Sequence, residues 1–369
     1  MQMDRPAWAE VDLGNAGHNI QQFKRLLKPN CQLMIVVKAD AYGHGDLEIA
    51  RAALSNGANW LAVALPDEGV RLRRAGIAAP ILVLGALSGQ QLEVCVAKDL
   101  VATVYQWDMV QSLANIARRL RKTVRVHIKV DTGMGRIGLA PEDAVRFIKR
   151  VQGLSGIEIQ GIFTHFASAD MPAGDYVKWQ WQRFSWLLLE LKKEGIGIPL
   201  KHCANTAATI LLPETHLDMV RIGLGAYGLY PTAEKSMDLR PVFSLHTEVV
   251  SQKRVPPGTA ISYHSTYVTW KETTIVTLPI GYADGVSRRL SNCGHVLING
   301  EEYPLVGRIT MDHCMVDVGD QLMELGTHVV LIGKQKEREI SVDQWAEWLD
   351  TINYEIPCMI SGRVERIYP

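Results

Sequence analysis

The sequence predicts an α/β protein made of a (β/α)8 TIM-like barrel followed by a mostly-β domain, and two observations lead to this prediction. From about residue 30 to 230, eight short apolar runs alternate with amphipathic segments. After about residue 240, the apolar runs lie close together and are separated by Gly, Pro and Asn turns. Apolar strands that alternate with helices are typical of a parallel sheet covered by helices, and eight such units favour closure into a barrel.

The eight predicted barrel strands share a β-rich apolar composition. They are Leu33–Val37, Trp60–Ala64, Ile81–Gly85, Leu100–Val104, Val124–Val130, Ile159–His165, Leu200–Cys203 and Met219–Leu224. Helical spacing marks the segments between them, as in Phe184, Leu187, Leu188 and Leu191. The pattern alone leaves a doubly wound open sheet as the alternative to a barrel.

The predicted β domain occupies residues 240–369 and follows a barrel domain over residues 12–239. Its strands are Phe243–Val250, Thr274–Pro279, His295–Asn299, Met315–Val318 and His328–Ile332. A helix is predicted over Val342–Leu349, with Ser341 or Asp343 as its cap. Residues 1–11 contain a further strand, which we expect to pack with the C-terminal domain.

Composition excludes several classes of partner. The chain has 39 Lys+Arg and 39 Asp+Glu residues, so its zero formal charge gives no electrostatic footprint for nucleic acid or an anionic membrane. No segment approaches the run of about 18 apolar residues that a membrane span needs, and the N-terminus lacks the apolar stretch of a signal peptide. The six cysteines form no C-x-x-C pair and no metal spacing with histidine. We therefore expect no metal site, reduced core cysteines and a cytoplasmic enzyme with a small-molecule substrate.

Lys38 is the most informative residue of the chain. It comes directly after the apolar run Leu33–Val37 and before the glycine-rich segment 39–45. A lysine at the polar end of a buried strand is half desolvated, which disfavours the ammonium and makes the amine available as a nucleophile and a proton-transfer base. A lysine after a strand is more often a solvated charge, so the residues around Lys38 decide between the two interpretations.

The segment Val36–Gly45 (VVKADAYGHG) resembles the pyridoxal-phosphate lysine motif of bacterial alanine racemases. The resemblance covers nearly the whole chain. It is carried further by Lys129–Arg136 (KVDTGMGR), Met219–Gly228 (MVRIGLGAYG), Pro279–Gly285 (PIGYADG) and Val306–Asp312 (VGRITMD). It implies that pyridoxal 5'-phosphate (PLP) is the cofactor, that Lys38 carries it as a Schiff base and that Tyr42 lies near its phosphate.

Barrel geometry gives a test that is independent of any family, because catalytic groups of such barrels lie at the carboxyl ends of the strands. The polar residues at these predicted ends are Lys38, Lys129, Asp131, Arg136, His165, Asn205 and Arg221. Gly223 and Gly225 follow and would let backbone N–H groups approach a phosphate. All of these residues are therefore predicted to share one rim.

The resemblance implies roles for these residues. Arg221 would face the pyridine nitrogen of the cofactor and, because guanidinium keeps its protons, leave that nitrogen unprotonated. His165 would orient Arg221, although a purely structural histidine is an equal alternative. The residues matched to the phosphate are Tyr42, Thr206, Ile222, Gly223 and Tyr354, and the side chain of Asn205 can add an amide next to Thr206. Thr206 stands where the family usually has serine, and either hydroxyl can donate to phosphate.

The strand-five signature Lys129–Arg136 is longer and more specific. By the resemblance, Arg136 contacts the phenolic oxygen of the cofactor and helps to bind the substrate carboxylate. Lys129 is often carbamylated in this context, which turns a cation into an anion able to orient Arg136. An ordinary strand lysine is the alternative for Lys129.

The segment Pro279–Gly285 is similar to the family's second-base motif. A racemase removes the α-proton from one face and returns a proton to the other, so Lys38 and Tyr282 would each serve one face. Tyr282 needs positive neighbours to act as a base, and Arg136 or His165 could provide them. In the family this tyrosine comes from the other subunit of a homodimer, as does the Met311 backbone N–H that contacts the carboxylate.

Tyr354 matches the tyrosine at the mouth of the family's pocket, where an asparagine would indicate serine racemisation. The resemblance therefore implies an alanine racemase activity, an isomerase reaction that supplies D-alanine for peptidoglycan. The alternatives are a serine or broad-specificity racemase, a PLP-dependent decarboxylase of the same architecture, and a PLP carrier protein. The decarboxylase would lack the Gly-Tyr-Ala-Asp-Gly motif, and the carrier would lack the β domain.

Overall fold

The computed structural model describes residues 5–171 and 174–369, and the chain divides into two compact units. The first, which we call the barrel unit, contains residues 14–41 and 46–240. The second, the β unit, contains the described residues up to 13, residues 42–45 and residues 241–369. The short segment 42–45 therefore belongs to a different unit from the residues on either side of it.

Eight parallel strands of the described residues form the sheet of the barrel unit, after strand β1 (Ala7–Val11) and helix α1 (Leu13–Leu26). They are β2 (Gln32–Val36), β3 (Trp60–Val63), β4 (Ile81–Val83), β5 (Val101–Val104), β6 (Val124–Lys129), β7 (Ile157–Phe163), β8 (Leu200–His202) and β9 (Met219–Ile222). They pair in the order β8-β7-β6-β5-β4-β3-β2-β9. Backbone hydrogen bonds from Asp218 to Lys201 (3.1 Å) and from Arg221 to Ala204 (3.0 Å) join the two ends of this order. The predicted barrel is thus confirmed over the open sheet.

Helices follow the barrel strands. They are α2 (Lys38–Gly43), α3 (Asp46–Ser55), α4 (Pro66–Arg74), α5 (Gln90–Ala97), α6 (Trp107–Leu120), α7 (Pro141–Gln152), α8 (Asp175–Lys193) and α9 (Thr206–Leu211). The sequence explains the longer ones: α7 begins with Pro141, has acidic residues in its first turn and basic residues in its last, as the helix dipole favours. Helix α6 buries Met109, Val110, Leu113 and Ala117, one apolar stripe at helical spacing.

The β unit contains one large sheet. Its strands and helices are β10 (Phe243–Glu248), β11 (Ser251–Val255), β12 (Ala260–Ile261), β13 (Tyr267–Val268), β14 (Thr273–Leu278), β15 (His295–Ile298), β16 (Glu301–Val306), β17 (Cys314–Asp317), β18 (His328–Gln335), β19 (Arg338–Ile340), α10 (Val342–Leu349), α11 (Glu355–Met359) and β20 (Glu365–Ile367). Strand β1 pairs antiparallel with β10 and parallel with β20. Strands β12 and β13 form a separate two-stranded sheet.

Several local expectations can be compared with the structure. Helix α10 spans the predicted residues, and Ser341 rather than Asp343 caps it by accepting from Gln344 N at 3.1 Å. None of the six cysteines, all of which lie within the described residues, forms a disulfide, but Cys293 and Cys358 are exposed, so the expectation of core cysteines is wrong for these two. Within the described ranges, no helix is long and apolar enough to cross a membrane.

Candidate active site

Lys38 lies two residues beyond the end of β2, at the carboxyl end of the barrel sheet, and is partly buried. The next four residues have positive φ angles: 52° at Ala39, 54° at Asp40, 52° at Ala41 and 56° at Tyr42. The glycine-rich turn expected here is therefore a left-handed helical turn. Such a turn costs roughly 1–2 kcal/mol per non-glycine residue and persists only where its surroundings hold it.

Hydrogen bonds hold the start of this left-handed turn. Ala41 N donates to Val37 O at 3.0 Å, and the Asp40 carboxylate accepts from Asp46 N at 3.0 Å. Glu68, on helix α4, accepts from Ala39 N at 2.6 Å. Strain that is held in this way is typical of functional sites, and here it fixes the backbone that carries Lys38.

Arg221 lies on β9 and is only 4% exposed. Its Nη2 donates to Thr164 O (2.8 Å), Cys203 O (3.0 Å) and His165 Nδ1 (3.1 Å), and its Nη1 donates to His202 Nδ1 (2.8 Å). No hydrogen bond among the described residues uses its Nε. The contact that was expected between Arg221 and His165 is present, and the guanidinium keeps its Nε–H as a donor for another group.

The pKa of His165 is affected by the charges that surround this rim. Burial lowers its pKa well below 6.5, and Arg221, Lys129, Arg136 and Lys38 lower it further, in that order. The four cationic residues predicted to share the rim therefore act on one imidazole. The same effect makes His165 neutral, so it cannot be the positive neighbour that Tyr282 was expected to need.

Lys129 ends β6 and is 3% exposed. Its ammonium lies 5.1 Å from the centre of the Phe163 ring and donates to Val130 O at 3.1 Å. Burial, followed by Arg221, lowers its pKa from 10.5 to about 7; Asp131 opposes the shift and Arg136 adds to it. A large part of the Lys129 side chains is therefore neutral near pH 7, which an exposed strand lysine would not be.

Thr206 and Gly223 form a second group on the same unit. Thr206 Oγ1 accepts from Gly223 N at 3.2 Å and from Gly225 N at 3.5 Å, so its hydroxyl proton is free to point elsewhere. A Cβ atom at Gly225 would lie 2.4 Å from the Phe23 ring, and Ile222 is fully buried. Asn205 caps α9 by accepting from Ala208 N at 3.0 Å.

Four other predicted site residues belong to the β unit. The rings of Tyr42 and Tyr354 lie 6.3 Å apart, and burial, followed by Tyr354 and Cys358, raises the pKa of Tyr42. Tyr42 is therefore a neutral phenol. Tyr282 N donates to Thr310 O and Ala283 N to Met311 O, each at 3.0 Å, so these hydrogen bonds join the Tyr282 turn to the Met311 loop. The side chains of Tyr282 and Met311 are 43% and 52% exposed.

Asp284 was part of a quoted motif, but sequence reasoning gave it no role. It is fully buried and accepts from Gly281 N at 2.8 Å, which shapes the turn that begins at Tyr282. Arg5 donates to both of its carboxylate oxygens at 2.6 Å, in the two-pronged geometry that makes arginine pairs strong. The signal in the sequence that could have identified Asp284 was a carboxylate between two glycines.

Comparison with known proteins decides the family. The chain matches the profile "Alanine racemase, N-terminal domain" over residues 11–231 and the profile "Alanine racemase, C-terminal domain" over residues 242–368. An alanine racemase of Halothermothrix orenii is 48% identical over 99% of this chain and 97% of its own. The chain belongs to the alanine racemase family.

Solved structures of alanine racemases agree with this assignment. The enzyme of Bacillus anthracis with bound L-Ala-P is 41% identical, with a TM-score of 0.94 over 100% of this chain and 96% of its own. The enzyme of Bartonella henselae with covalently bound pyridoxal phosphate is 27% identical, with a TM-score of 0.89 over 99% of both chains. The resemblance to alanine racemases and the predicted fold are thereby confirmed.

The alanine racemase profiles divide the predicted site residues in the same way as the two compact units, except at Tyr42. The N-terminal profile covers Lys38 to Gly223, and the C-terminal profile covers Tyr282, Met311 and Tyr354. Tyr42 lies within the N-terminal profile but belongs to the β unit. Glu68, which accepts from Ala39 N, and His202, which accepts from Arg221 Nη1, contact the predicted site, and sequence reasoning missed them because no local motif marks them. In the part of the chain that the structure describes, no cluster of His, Cys, Asp and Glu could hold a metal ion.

Proposed function

We propose that this protein is a PLP-dependent isomerase that interconverts L-alanine and D-alanine. Membership of the alanine racemase family gives the class of reaction. The observation that carries the proposal is the rim of the barrel unit. There, the partly buried Lys38 follows β2, and Arg221, which is buried and pairs with no described carboxylate, lies on β9. The product D-alanine would supply peptidoglycan synthesis in a bacterium, and the lack of a disulfide among the six cysteines, all within the described residues, supports a reducing, cytoplasmic location.

The residues of the rim fit PLP. Lys38 would hold the cofactor through Nζ, and the unused Nε–H of Arg221 suits a ring nitrogen that accepts a hydrogen bond. The Thr206 hydroxyl suits a phosphate oxygen, together with the Ile222-Gly223 backbone and the Asn205 amide. In the β unit, the phenols of Tyr42 and Tyr354 are groups that would suit a phosphate as well. PLP, when bound, withdraws electrons from the Cα atom of an amino acid and so makes its α-proton acidic.

The chain's own part in the reaction is to move that proton. Lys38 Nζ would remove and return it on one face of Cα, and Tyr282 Oη on the other. A residue on each face allows inversion, whereas a single base would favour return to the same face. Arg136 and the Met311 backbone would hold the substrate carboxylate, and His165 would keep Arg221 in place through the hydrogen bond of 3.1 Å.

We further propose that the working form is a homodimer in which the partner subunit supplies Tyr282 and Met311. Their exposure supports this: 43% of the Tyr282 side chain and 52% of the Met311 side chain lie open on the single chain. Large exposed side chains of this kind suit a shared site. The catalytic rate would then fall on dilution below the dimer dissociation constant.

The experiment follows L-alanine in D2O with purified, PLP-loaded protein, and records optical rotation and α-deuterium by NMR. We expect racemisation with solvent deuterium at Cα, lost in Lys38→Ala and severely impaired in Tyr282→Phe. Tyr303→Phe is the matched control, because it removes a hydroxyl that makes no hydrogen bond among the described residues. No exchange on alanine, with exchange on serine or on another amino acid, would overturn the assignment of alanine, and release of CO2 would indicate a decarboxylase.

A further inference from the structure

Arg221 is a buried cation that pairs with no carboxylate in the part of the chain that the structure describes. Among the described residues, its hydrogen-bond partners are two carbonyl oxygens and the Nδ1 atoms of His165 and His202. Burial lowers its pKa to about 10, which leaves it protonated near pH 7. A charge that is removed from water needs compensation, and here neutral groups must provide it.

A chain of hydrogen bonds continues from Arg221 into the barrel interior. Arg221 Nη1 lies 2.8 Å from His202 Nδ1, and His202 Nε2 lies 2.9 Å from His127 Nδ1. Both histidines are fully buried. The Phe163 ring stacks on His202 with centroids 4.8 Å apart and planes 3° apart, which fixes the plane of the imidazole.

Arg221 determines which ring nitrogen of His202, and then of His127, carries the proton. A guanidinium can only donate, so His202 Nδ1 must accept and its proton must be on Nε2. His202 Nε2 then donates to His127 Nδ1, so the proton of His127 must also be on Nε2. Both rings are therefore neutral Nε2–H tautomers whose dipoles point their negative ends towards Arg221.

The backbone is shaped to accommodate His127. The pairing of β6 with β7 shifts register between Val126 and His127, which inserts Gln160 as an extra residue in β7. The next residue, Gly161, faces the ring so closely that a Cβ atom there would lie 2.6 Å from His127 Cε1. β-Bulges next to active sites commonly redirect a side chain.

Gln160 lies near His127, at the end of the series of hydrogen bonds that is farthest from Arg221. Gln160 Oε1 and His127 Nε2 are both buried and make no ordinary hydrogen bond within the described parts of the chain. The Gln160 side chain is nevertheless the neighbour that favours a proton on His127, since it opposes the lowering of the His127 pKa. A hydrogen bond to the Gln160 amide oxygen would satisfy the Nε2–H that the tautomer argument requires.

We propose that His127 and His202 are a positioning pair that replaces a carboxylate, aligning and stabilising Arg221 by the dipoles of two neutral imidazoles. The pair supplies negative potential without a negative charge. Arg221 thereby keeps its full positive charge toward the group that it faces. The functional half of the proposal rests on the proposed function, in which Arg221 meets the pyridine ring of PLP.

Burial and the surrounding positive charges lower the pKa values of His127 and His202, which favours the neutral form of both rings. Burial, then Arg221 and to a smaller extent Arg125, lower the pKa of His127 to about 3. Burial, Arg221, His127 and Lys129 lower the pKa of His202 well below 6.5. A proton added to either acceptor nitrogen would also set a donor against a donor and break the chain of hydrogen bonds.

The first test measures tautomers by long-range ¹H–¹⁵N NMR of histidine-labelled, full-length protein, with PLP bound and after its removal. We expect the His127 and His202 signals to stay in the neutral Nε2–H form between about pH 5 and 8. Titration of either ring near its ordinary pKa, or an Nδ1–H tautomer, would overturn the proposal. This readout is independent of the role of Arg221 toward PLP, so it can fail while the proposed function stands.

The second test compares substitutions at His127. His127→Asn keeps a side-chain oxygen close to the position of Nδ1, whereas His127→Leu keeps volume but removes the acceptor. We expect His127→Leu to lower kcat about 10- to 100-fold with a smaller change in KM, because a misplaced Arg221 acts on the reacting centre rather than on substrate binding. His127→Asn should recover most of the rate and the His202 tautomer.

A matched control exists in the β unit. His246 Nδ1 lies 3.0 Å from His328 Nε2, the same pair of atoms at nearly the same distance, with no arginine in the chain of hydrogen bonds. We expect His246→Leu to change kcat little, while Gly161→Ala, which displaces the His127 ring, should resemble His127→Leu. Equal rates in His127→Leu and wild type would overturn the proposal. If His127→Leu does not fold, Gly161→Ala and the tautomer measurement decide it.

Discussion

The Glu68 carboxylate accepts a hydrogen bond at 2.6 Å from the backbone N–H of Ala39, the residue after Lys38. Its second oxygen accepts from Ala64 N at 2.7 Å and Leu65 N at 2.9 Å. One side chain therefore joins the start of helix α4 to the start of the left-handed turn. Because that turn is strained, its first N–H group needs a partner that does not move away.

We predict that Glu68→Ala lowers both stability and activity. Three backbone N–H groups lose their acceptor, which we expect to lower the free energy of unfolding by about 1–3 kcal/mol. Lys38 would lose its fixed backbone, so kcat should fall more than KM rises. Urea unfolding followed by circular dichroism measures the first effect, and steady-state racemisation measures the second.

Asp67→Ala is the control for Glu68→Ala. Asp67 precedes Glu68 in the first turn of α4, is exposed, and accepts none of the hydrogen bonds among the described residues. Its substitution removes the same charge from the same helix end, so any effect through the helix dipole is shared. Similar losses in the two variants would show that Glu68 acts only as a charge.

Gly43, at the end of the left-handed turn, should not tolerate a side chain. Its φ is +83°, and a Cβ atom would lie 2.2 Å from Pro357 O within the β unit. Gly76 has a similar φ of +86° but nothing within 4 Å of a Cβ atom. We predict that Gly76→Ala costs about 1–2 kcal/mol from its backbone conformation alone, whereas Gly43→Ala costs roughly 3 kcal/mol or more. Equal midpoints of chemical unfolding for the two variants would contradict the close approach at Gly43.

The elements that could be predicted from sequence are those whose residues are buried on both faces or capped locally. Barrel strands such as β3 (WLAV) and β4 (ILV) are continuous apolar runs that are buried along their whole length, and helix α10 carries a local cap at Ser341. Strand β11 (SQKRV) is largely exposed, so its polar residues gave no apolar signal. Its place in the sheet is set by pairing with β14, a partner that local pattern does not reveal.

Parts of the site could not be predicted for a similar reason. The left-handed turn depends on Glu68, which is 29 residues from Ala39 in sequence. The contact of His127 with His202 spans 75 residues and depends on a bulge in β7. Lys38 and Tyr282 were recognisable because each lies within a contiguous motif, whereas positioning residues come from separate strands and follow no spacing rule.

The buried Lys129 amine has consequences for pH dependence. Its pKa of about 7 in the folded protein lies below the ordinary value of 10.5, because burial and Arg221 disfavour the ammonium. Between these two pH values the unfolded chain binds more protons than the folded one, so the contribution of Lys129 to stability rises with pH. The unfavourable contribution is complete below about pH 7. A carbamate on Lys129 would remove this dependence, since the group would no longer be an amine.

We predict that Lys129 is carbamylated. Only a neutral amine attacks CO2, and the lowered pKa supplies one near pH 7, while Arg221 and Arg136 would stabilise the anion that forms. With ¹³C-bicarbonate, we expect a carbamate signal in the NMR spectrum that grows between about pH 6 and 8. The signal should be lost in Lys129→Ala and kept in Lys201→Ala, which removes a lysine paired with Asp218 at 2.7 Å. A spectrum without this signal at pH 8 would contradict the prediction, and Lys129 would then remain a neutral amine that leaves Arg136 without an anionic partner.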